Sequence, residues 1–248
     1  MRILVTLGGT SEKIDDVRSI TNHATGTLGT LIASAFEQSG ATVDVIASAS
    51  AIKPNESSKL HVTTIHDTYE LSQALERCMK EHVYDAVIHS MAVSDFTTET
   101  VYSEEQFLTQ MNQWHLAHPN QPLDKESLAT FLANKPEVNE TKLSSNTNHL
   151  VLFLQKTPKV IQMIKSLQPK TCLVGFKLLV DVSKDELFAV AEASRKKSQA
   201  DFVLANDLTS IAGNDHIGYL LNEHGIVAQA ETKPAIAQML VDQLKHIN

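Results

Sequence analysis

The sequence predicts an α/β protein: a mainly parallel sheet with helices on both faces, interrupted by one irregular excursion. Three observations predict it. Short β-branched runs alternate with longer segments whose apolar residues recur at helical spacing. Most of the runs are apolar nearly throughout, as strands covered on both faces are. Polar and glycine-bearing clusters fall just after the runs, where an open parallel sheet places its ligands.

The elements follow in order. "RILVTL" (2–7), bounded by Gly8 and Gly9, reads as a buried strand. "TLIASAFEQSG" (30–40) reads as a helix that Gly40 caps. "TVDVIAS" (42–48) and "LHVTTI" (60–65) are strands, and "TYELSQALERCMKEH" (68–82) is a helix. "YDAVIHSMAVSDF" (84–96) is a buried strand running out into a polar turn. Residues 97–149 break the rhythm; they are polar and hold three prolines, with helical pattern only in "KESLATFLAN". "LVLFLQ" (150–155) is then a strand. "TPKVIQMIKSL" (157–167) is a helix with Thr157 as N-cap and Pro158 at its first position. "TCLVGFKL" (171–178), "KDELFAVAEASRKKSQ" (184–199) and "DFVLAND" (201–207) continue as strand, helix and strand. A hairpin over 217–231 turns at His224-Gly225, and a helix over 233–247 closes the chain. No repeat or linker divides the sequence, so one domain over 1–248 is expected, with its excursion at about 97–149.

Composition narrows the function. A net charge of −8 argues against a non-specific nucleic-acid binder. Cys78 and Cys172 sit in apolar surroundings and read as reduced core residues. No signal-peptide pattern or membrane-length apolar run occurs, so a cytoplasmic protein with no membrane partner is expected. His115 and His118 come nearest to a metal spacing and fall short of one.

The polar clusters carry the chemistry. "GGTSEKIDDVRSITNHATGTLG" (8–29) is too long for a dinucleotide fingerprint and lacks the Gly-Lys-Ser/Thr of a P-loop. "ATGTLG" opens a helix; its amides and the hydroxyls of Thr25 and Thr27 suit a phosphate, or they are simply a glycine-containing helix start. Arg18 is an anion clamp or a surface salt bridge. Asn22 orients or polarises a carbonyl, or it is a turn residue. Asp95, Asn206 and Asp207 stand just past strands, where they read a ring or ribose, hold Mg²⁺, or cap and turn the chain. Lys142, in the excursion, reads by itself as a solvated lysine.

Together these stretches resemble phosphopantothenoylcysteine synthetase, the phosphopantothenate–cysteine ligase family. The resemblance lies in residues 8–29, in "MAVSDF" (91–96), in "ETKLSSNTNHLVLFLQKTPKVI" (140–161) and in "VLANDL" (203–208). It runs collinearly from residue 2 to about residue 245. Ala24-Thr25 stand where the family usually has Ser-Ser, and Leu28 where it has Met. "GFKLLVD" lacks the acidic residue of the family's corresponding element, and Thr157-Pro158-Lys159 replaces Thr-Pro-Asp.

The resemblance implies a Rossmann-like ligase of the stand-alone bacterial form, without the flavin-dependent half to which it is often fused. It implies that 4′-phosphopantothenate and L-cysteine are joined through an acyl-nucleotide, with CTP (or ATP) and Mg²⁺; the metal ligands stay unassigned. It makes Asn22, Lys142 and Arg18 catalytic. Gly8, Gly9, Thr10, Met91, Ala92, Asp95, Phe176, Asn206 and Asp207 would bind the nucleotide. Thr25, Gly26, Thr27 and Gly29 would bind the substrate phosphate. It also implies a homodimer, with the excursion as flap and dimer contact. The rival readings are a nicotinamide-dependent reductase and a nucleotide- or flavin-binding module.

Overall fold

The computed structural model describes residues 1–119, 121–133, 147–212 and 215–245. In chain order the elements begin β1 (Arg2–Leu7), β2 (Ser11–Lys13), β3 (Ser19–Thr21), α1 (Thr27–Gln38), β4 (Thr42–Ser48), β5 (Leu60–Ile65) and α2 (Thr68–Glu81). They continue with β6 (Ala86–His89), β7 (Phe96–Ser103), α3 (Glu104–Ala117), α4 (Lys125–Ala133), β8 (Leu150–Lys156) and α5 (Val160–Leu167). The last are β9 (Cys172–Leu179), α6 (Lys184–Ser198), β10 (Phe202–Asp207), β11 (Ile211–Ala212), β12 (Asp215–Asn222), β13 (Gly225–Thr232) and α7 (Lys233–Leu244). The chain forms two compact units, one of residues 1–10, 21–93 and 158–248, the other of residues 11–20 and 94–157.

In the first unit the described strands make one sheet, ordered β11-β12-β10-β9-β6-β1-β4-β5, with β13 also on β12. From β5 to β10 every pairing is parallel. Counting only those six strands along the chain, their order is 3-2-1-4-5-6, the doubly wound order, and it reverses between β1 and β6. β12 runs antiparallel to β10 and turns back into β13 through Glu223-His224, so the sheet is mixed at this end. Gly225, at φ +106°, supplies the positive dihedral that this turn requires.

The period of two along each strand builds two cores. Ile3, Val5, Leu7, Val43, Val45 and Leu204 face α1 and α7; Leu4, Ile46, Val87, Leu173 and Val203 face α2, α5 and α6. Full burial of each such side chain contributes about 1.5–3 kcal/mol. α1 ends as the sequence implies: Gly40 adopts φ +96°, its N–H donates to Glu37 O and that of Ala41 to Phe36 O, a Schellman closure.

The second unit departs from the sequence reading. The stretch expected to be irregular contains β7 and α3, and α3 starts from a full capping box between Ser103 and Gln106. The strand expected at 150–155 forms as β8, but it pairs antiparallel with β7 and stays out of the central sheet. Trp114, Leu128, Phe131 and Leu132 join Tyr102, Phe107 and Phe153 in a core of this unit's own. Thr157 does not cap the following helix. The residue before a proline is held extended, so Thr157 ends the unit beyond β8, donating its hydroxyl to Ser94 O and its N–H to Asp95 O. The cap position falls to Lys159, and α5 begins at Val160.

Candidate functional site

The β-ladder between β1 and β6 does not stop with the strands. Gly9 bridges Ala92; Ala92 N–H donates to Gly8 O (2.9 Å) and Thr10 N–H to Ala92 O (3.1 Å). This carries both chains past the point where the strand order reverses, the place where doubly wound sheets bind ligands. Asn22 is then brought over it, its N–H donating to Thr10 O at 3.2 Å. A Cβ on Gly9 would lie 2.1 Å from Asn22 O, so the crossing requires glycine. Gly8 sits at φ +91°, where a Cβ would meet Ser48 Oγ at 2.2 Å. Ser48 Oγ accepts from Gly9 N–H at 3.2 Å. Gly8, Gly9 and the fully buried Thr10 therefore hold the site's floor, and Asn22 is the half-buried residue above it.

α1 starts beside this floor. Gly26 is its N-cap at φ +78°, no side chain caps it, and its first turn has no acidic residue. That leaves the positive end of the helix suited to an anion. The segment is held from below and from the side. A Cβ on Gly29 would lie 2.5 Å from Leu7 Cβ and 2.8 Å from Ser90 Oγ. Ile52 N–H donates to Thr25 O and Thr30 Oγ1 donates to Ile52 O. Thr25 and Thr27 hydroxyls hydrogen-bond each other at 2.9 Å, exposed at the helix start.

The remaining strand ends differ in their duties. Met91 is buried and Ala92 half-buried just past β6. Phe176, in β9, is half-buried against the α1-side core. Asp207 is occupied by its own chain. Its carboxylate accepts from Asp181 N–H, Val182 N–H, Thr209 N–H and the Thr209 hydroxyl. These bonds, that from Val182 foremost, hold its pKa down to about 2. Asn206, 6% exposed, sets its side-chain Nδ2 3.2 Å from Nε2 of His216. Burial, with the charge of Lys233, lowers the pKa of His216.

In the second unit Arg18 is paired with Asp15, Nη2 to Oδ2 at 2.6 Å and Nε to Oδ2 at 3.0 Å. Asp15 Oδ1 also accepts the N–H groups of Val17 and Arg18, so the carboxylate organises the turn between β2 and β3. Asp95 is exposed before β7. Lys142 lies outside the described residues. Among the described residues no three His, Cys, Asp or Glu side chains gather as a metal site. No helix among them is long and apolar enough to cross a membrane.

The sequence reading did not single out Ser48, His89 or His216. Ser48 had a signal, a hydroxyl closing the apolar run "TVDVIAS". His89 and His216 had none, because their partners lie on neighbouring strands.

Residues 1–121 and 129–247 match the family described as DNA/pantothenate metabolism flavoprotein C-terminal domain. The coenzyme A biosynthesis bifunctional protein CoaBC of Thermococcus kodakarensis is 30% identical over 245 residues, covering 98% of this chain and 51% of that protein. Its counterpart in Methanocaldococcus jannaschii is 28% identical over 249 residues, again covering 51% of that protein. The chain thus spans about half the length of these curated relatives. The crystal structure of the DNA/pantothenate metabolism flavoprotein from Streptococcus pneumoniae is 38% identical, with full coverage of both chains and a TM-score of 0.85. The C-terminal domain of a CoaBC protein, at 20% identity and a TM-score of 0.66, shares the fold over 98% of this chain and 93% of that one. The family model and the Streptococcus pneumoniae structure match this chain nearly end to end; the chain belongs to the DNA/pantothenate metabolism flavoprotein C-terminal domain family.

Proposed function

We propose that this protein is a ligase of coenzyme A biosynthesis that joins 4′-phosphopantothenate to L-cysteine. The carboxylate of phosphopantothenate attacks the α-phosphate of CTP; the α–β phosphoanhydride breaks and pyrophosphate leaves. The cysteine amine then attacks the acyl carbon, CMP leaves, and the amine proton passes to solvent. One observation carries the reading: in a chain of this family, the uncapped start of α1 opens beside the strand-order reversal, with Asn22 fixed across the same floor.

Each group then has a task. The α1 amides with Thr25, Gly26, Thr27 and Gly29 take the substrate phosphate. The neutral amide of Asn22 orients the acyl phosphate without adding charge. Gly8, Gly9, Thr10, Met91, Ala92, Phe176, Asn206 and Asp207 form or support the nucleotide site, and Asp95 is assigned to nucleotide contact as well. Lys142 supplies the cation for charge developing at the α-phosphate. Arg18 is assigned to an anionic group that must compete with Asp15 for its guanidinium. Mg²⁺ would accompany the nucleotide and offset the charge of its phosphates. The working form is a homodimer, expected to sediment as such at micromolar concentration.

The test is pyrophosphate release by purified protein with 4′-phosphopantothenate, cysteine, Mg²⁺ and either CTP or ATP. Release that needs phosphopantothenate and precedes cysteine addition supports the reading. No release with either nucleotide ends it. Faster release with ATP retains the ligase and reassigns the nucleotide.

A further inference from the structure

Asn206 and His216 form a buried polar pair on the α1–α7 face of the sheet. Asn206 follows Ala205, which faces the opposite core, and His216 precedes Ile217, which also packs there. Both residues are about nine-tenths buried or more, at 6% and 5% exposure, and their contact is the Nδ2···Nε2 approach of 3.2 Å. An amide NH₂ can only donate. Nε2 must therefore accept, and the ring must be neutral with its proton on Nδ1. Nδ1 is itself buried and has no hydrogen-bond partner among the described residues. A buried N–H left unsatisfied is costly, so the pair is poor as a purely stabilising device.

We infer that His216 is a positioning residue that fixes the Asn206 amide with Nδ2 turned toward the ring and Oδ1 left as an acceptor for a substrate N–H or O–H donor. A freely rotating asparagine offers either end to a ligand. His216 removes the choice, and a substrate group that can only accept is then rejected. Burial, and Lys233 at the start of α7, keep the ring neutral and preserve this polarity. The inference rests on the ligase reading for the identity of the substrate, and not for the orientation of the amide.

Two measurements separate the parts. Nitrogen-15 NMR of the whole protein at neutral pH reads the His216 tautomer directly. A proton on Nδ1 with a bare Nε2 supports the inference; a proton on Nε2 overturns it, whatever the enzyme does. Steady-state assays of His216→Leu and His216→Gln, with CTP and phosphopantothenate varied in turn, read the consequence. His216→Leu should raise KM for one of the two substrates by about three- to tenfold, the scale of one neutral hydrogen bond, with kcat within about twofold. His216→Gln, whose Oε1 can accept from Nδ2, should restore most of the loss. The substrate whose KM moves is the one that donates to Asn206. If neither KM moves in a folded His216→Leu, the inference fails. Absence of all ligase activity in the wild type overturns the ligase reading, and the NMR result still decides the orientation.

Discussion

Thr6 Oγ1 and His89 Nδ1 lie 2.8 Å apart on the paired strands β1 and β6, both buried, where the strand order reverses. Burial alone pushes the pKa of His89 down to about 4. In the unfolded chain it titrates near 6.5. Above pH 6.5 both states are neutral here and the site adds no pH dependence. Below 6.5 the unfolded chain binds a proton that the folded one refuses until about pH 4. Stability should fall through that window by roughly 3 kcal/mol and then level off at this site. Urea unfolding between pH 7.5 and pH 4 should show the slope in the wild type and lose that share of it in His89→Gln. Identical slopes would mean that the folded protein protonates His89 as readily as the unfolded chain does.

Gly9 and Gly40 make a contrast. A Cβ at position 9 meets the carbonyl of Asn22 at 2.1 Å, whereas one at position 40 meets nothing within 4 Å and is strained only by φ +96°. Gly40→Ala should cost about 1 kcal/mol of stability and leave turnover unchanged. Gly9→Ala should cost about 1–3 kcal/mol and also lower turnover, because the segment carrying Asn22 must move. Equal activity in the two variants, measured by pyrophosphate release, would detach Asn22 from the site.

Asn22→Asp replaces a neutral amide with a charge facing an acyl phosphate. Its effect should fall on the step in which cysteine attacks, more than on pyrophosphate release. The loss should be roughly 10²-fold, as when one transition-state donor is removed. Rapid-quench separation of the two half-reactions measures this; equal losses in both would argue for a positional role only.

Lys142, in the polar stretch "NETKLSSN", should accept Gln with thermal stability changed by no more than ~0.5 kcal/mol. Acyl-nucleotide formation should fall about 10²-fold or more. Wild-type formation of the intermediate would remove Lys142 from the chemistry.

The central sheet was legible because its strands are uniform. "RILVTL", "TVDVIAS" and "DFVLAND" are buried on both faces and carry little else. β7 was not, because "FTTETVYS" is rich in threonine and only its later residues are buried. α3 buries only Trp114 fully among its residues, so no apolar stripe announced it. The Ser-x-x-Gln box at 103–106 was in the sequence and outweighed by the polarity around it. At the candidate site the glycines were legible as a cluster, and the geometry separates their duties: Gly9 makes room for Asn22, and Gly26 starts a helix. The Arg18–Asp15 pair, three residues apart, was open to inspection. His216 could not be linked to Asn206 without knowing that β12 turns back beside β10.

The interleaving of the two units has a consequence for synthesis of the chain. β2 contacts β7, yet Lys13 and Phe96 are 83 positions apart. At roughly 5–20 residues per second, the ribbon of β2 and β3 leaves the ribosome on the order of ten seconds before the strand that packs on it. Glu12, 3% exposed in the finished protein, stays in water throughout that interval. The second unit closes only after β8 has been made, and β9, β10 and β12 of the first are still untranslated then. A nascent chain stalled before residue 103 therefore carries an unpaired ribbon and a half-built sheet, a form with open edges for chaperones to cover.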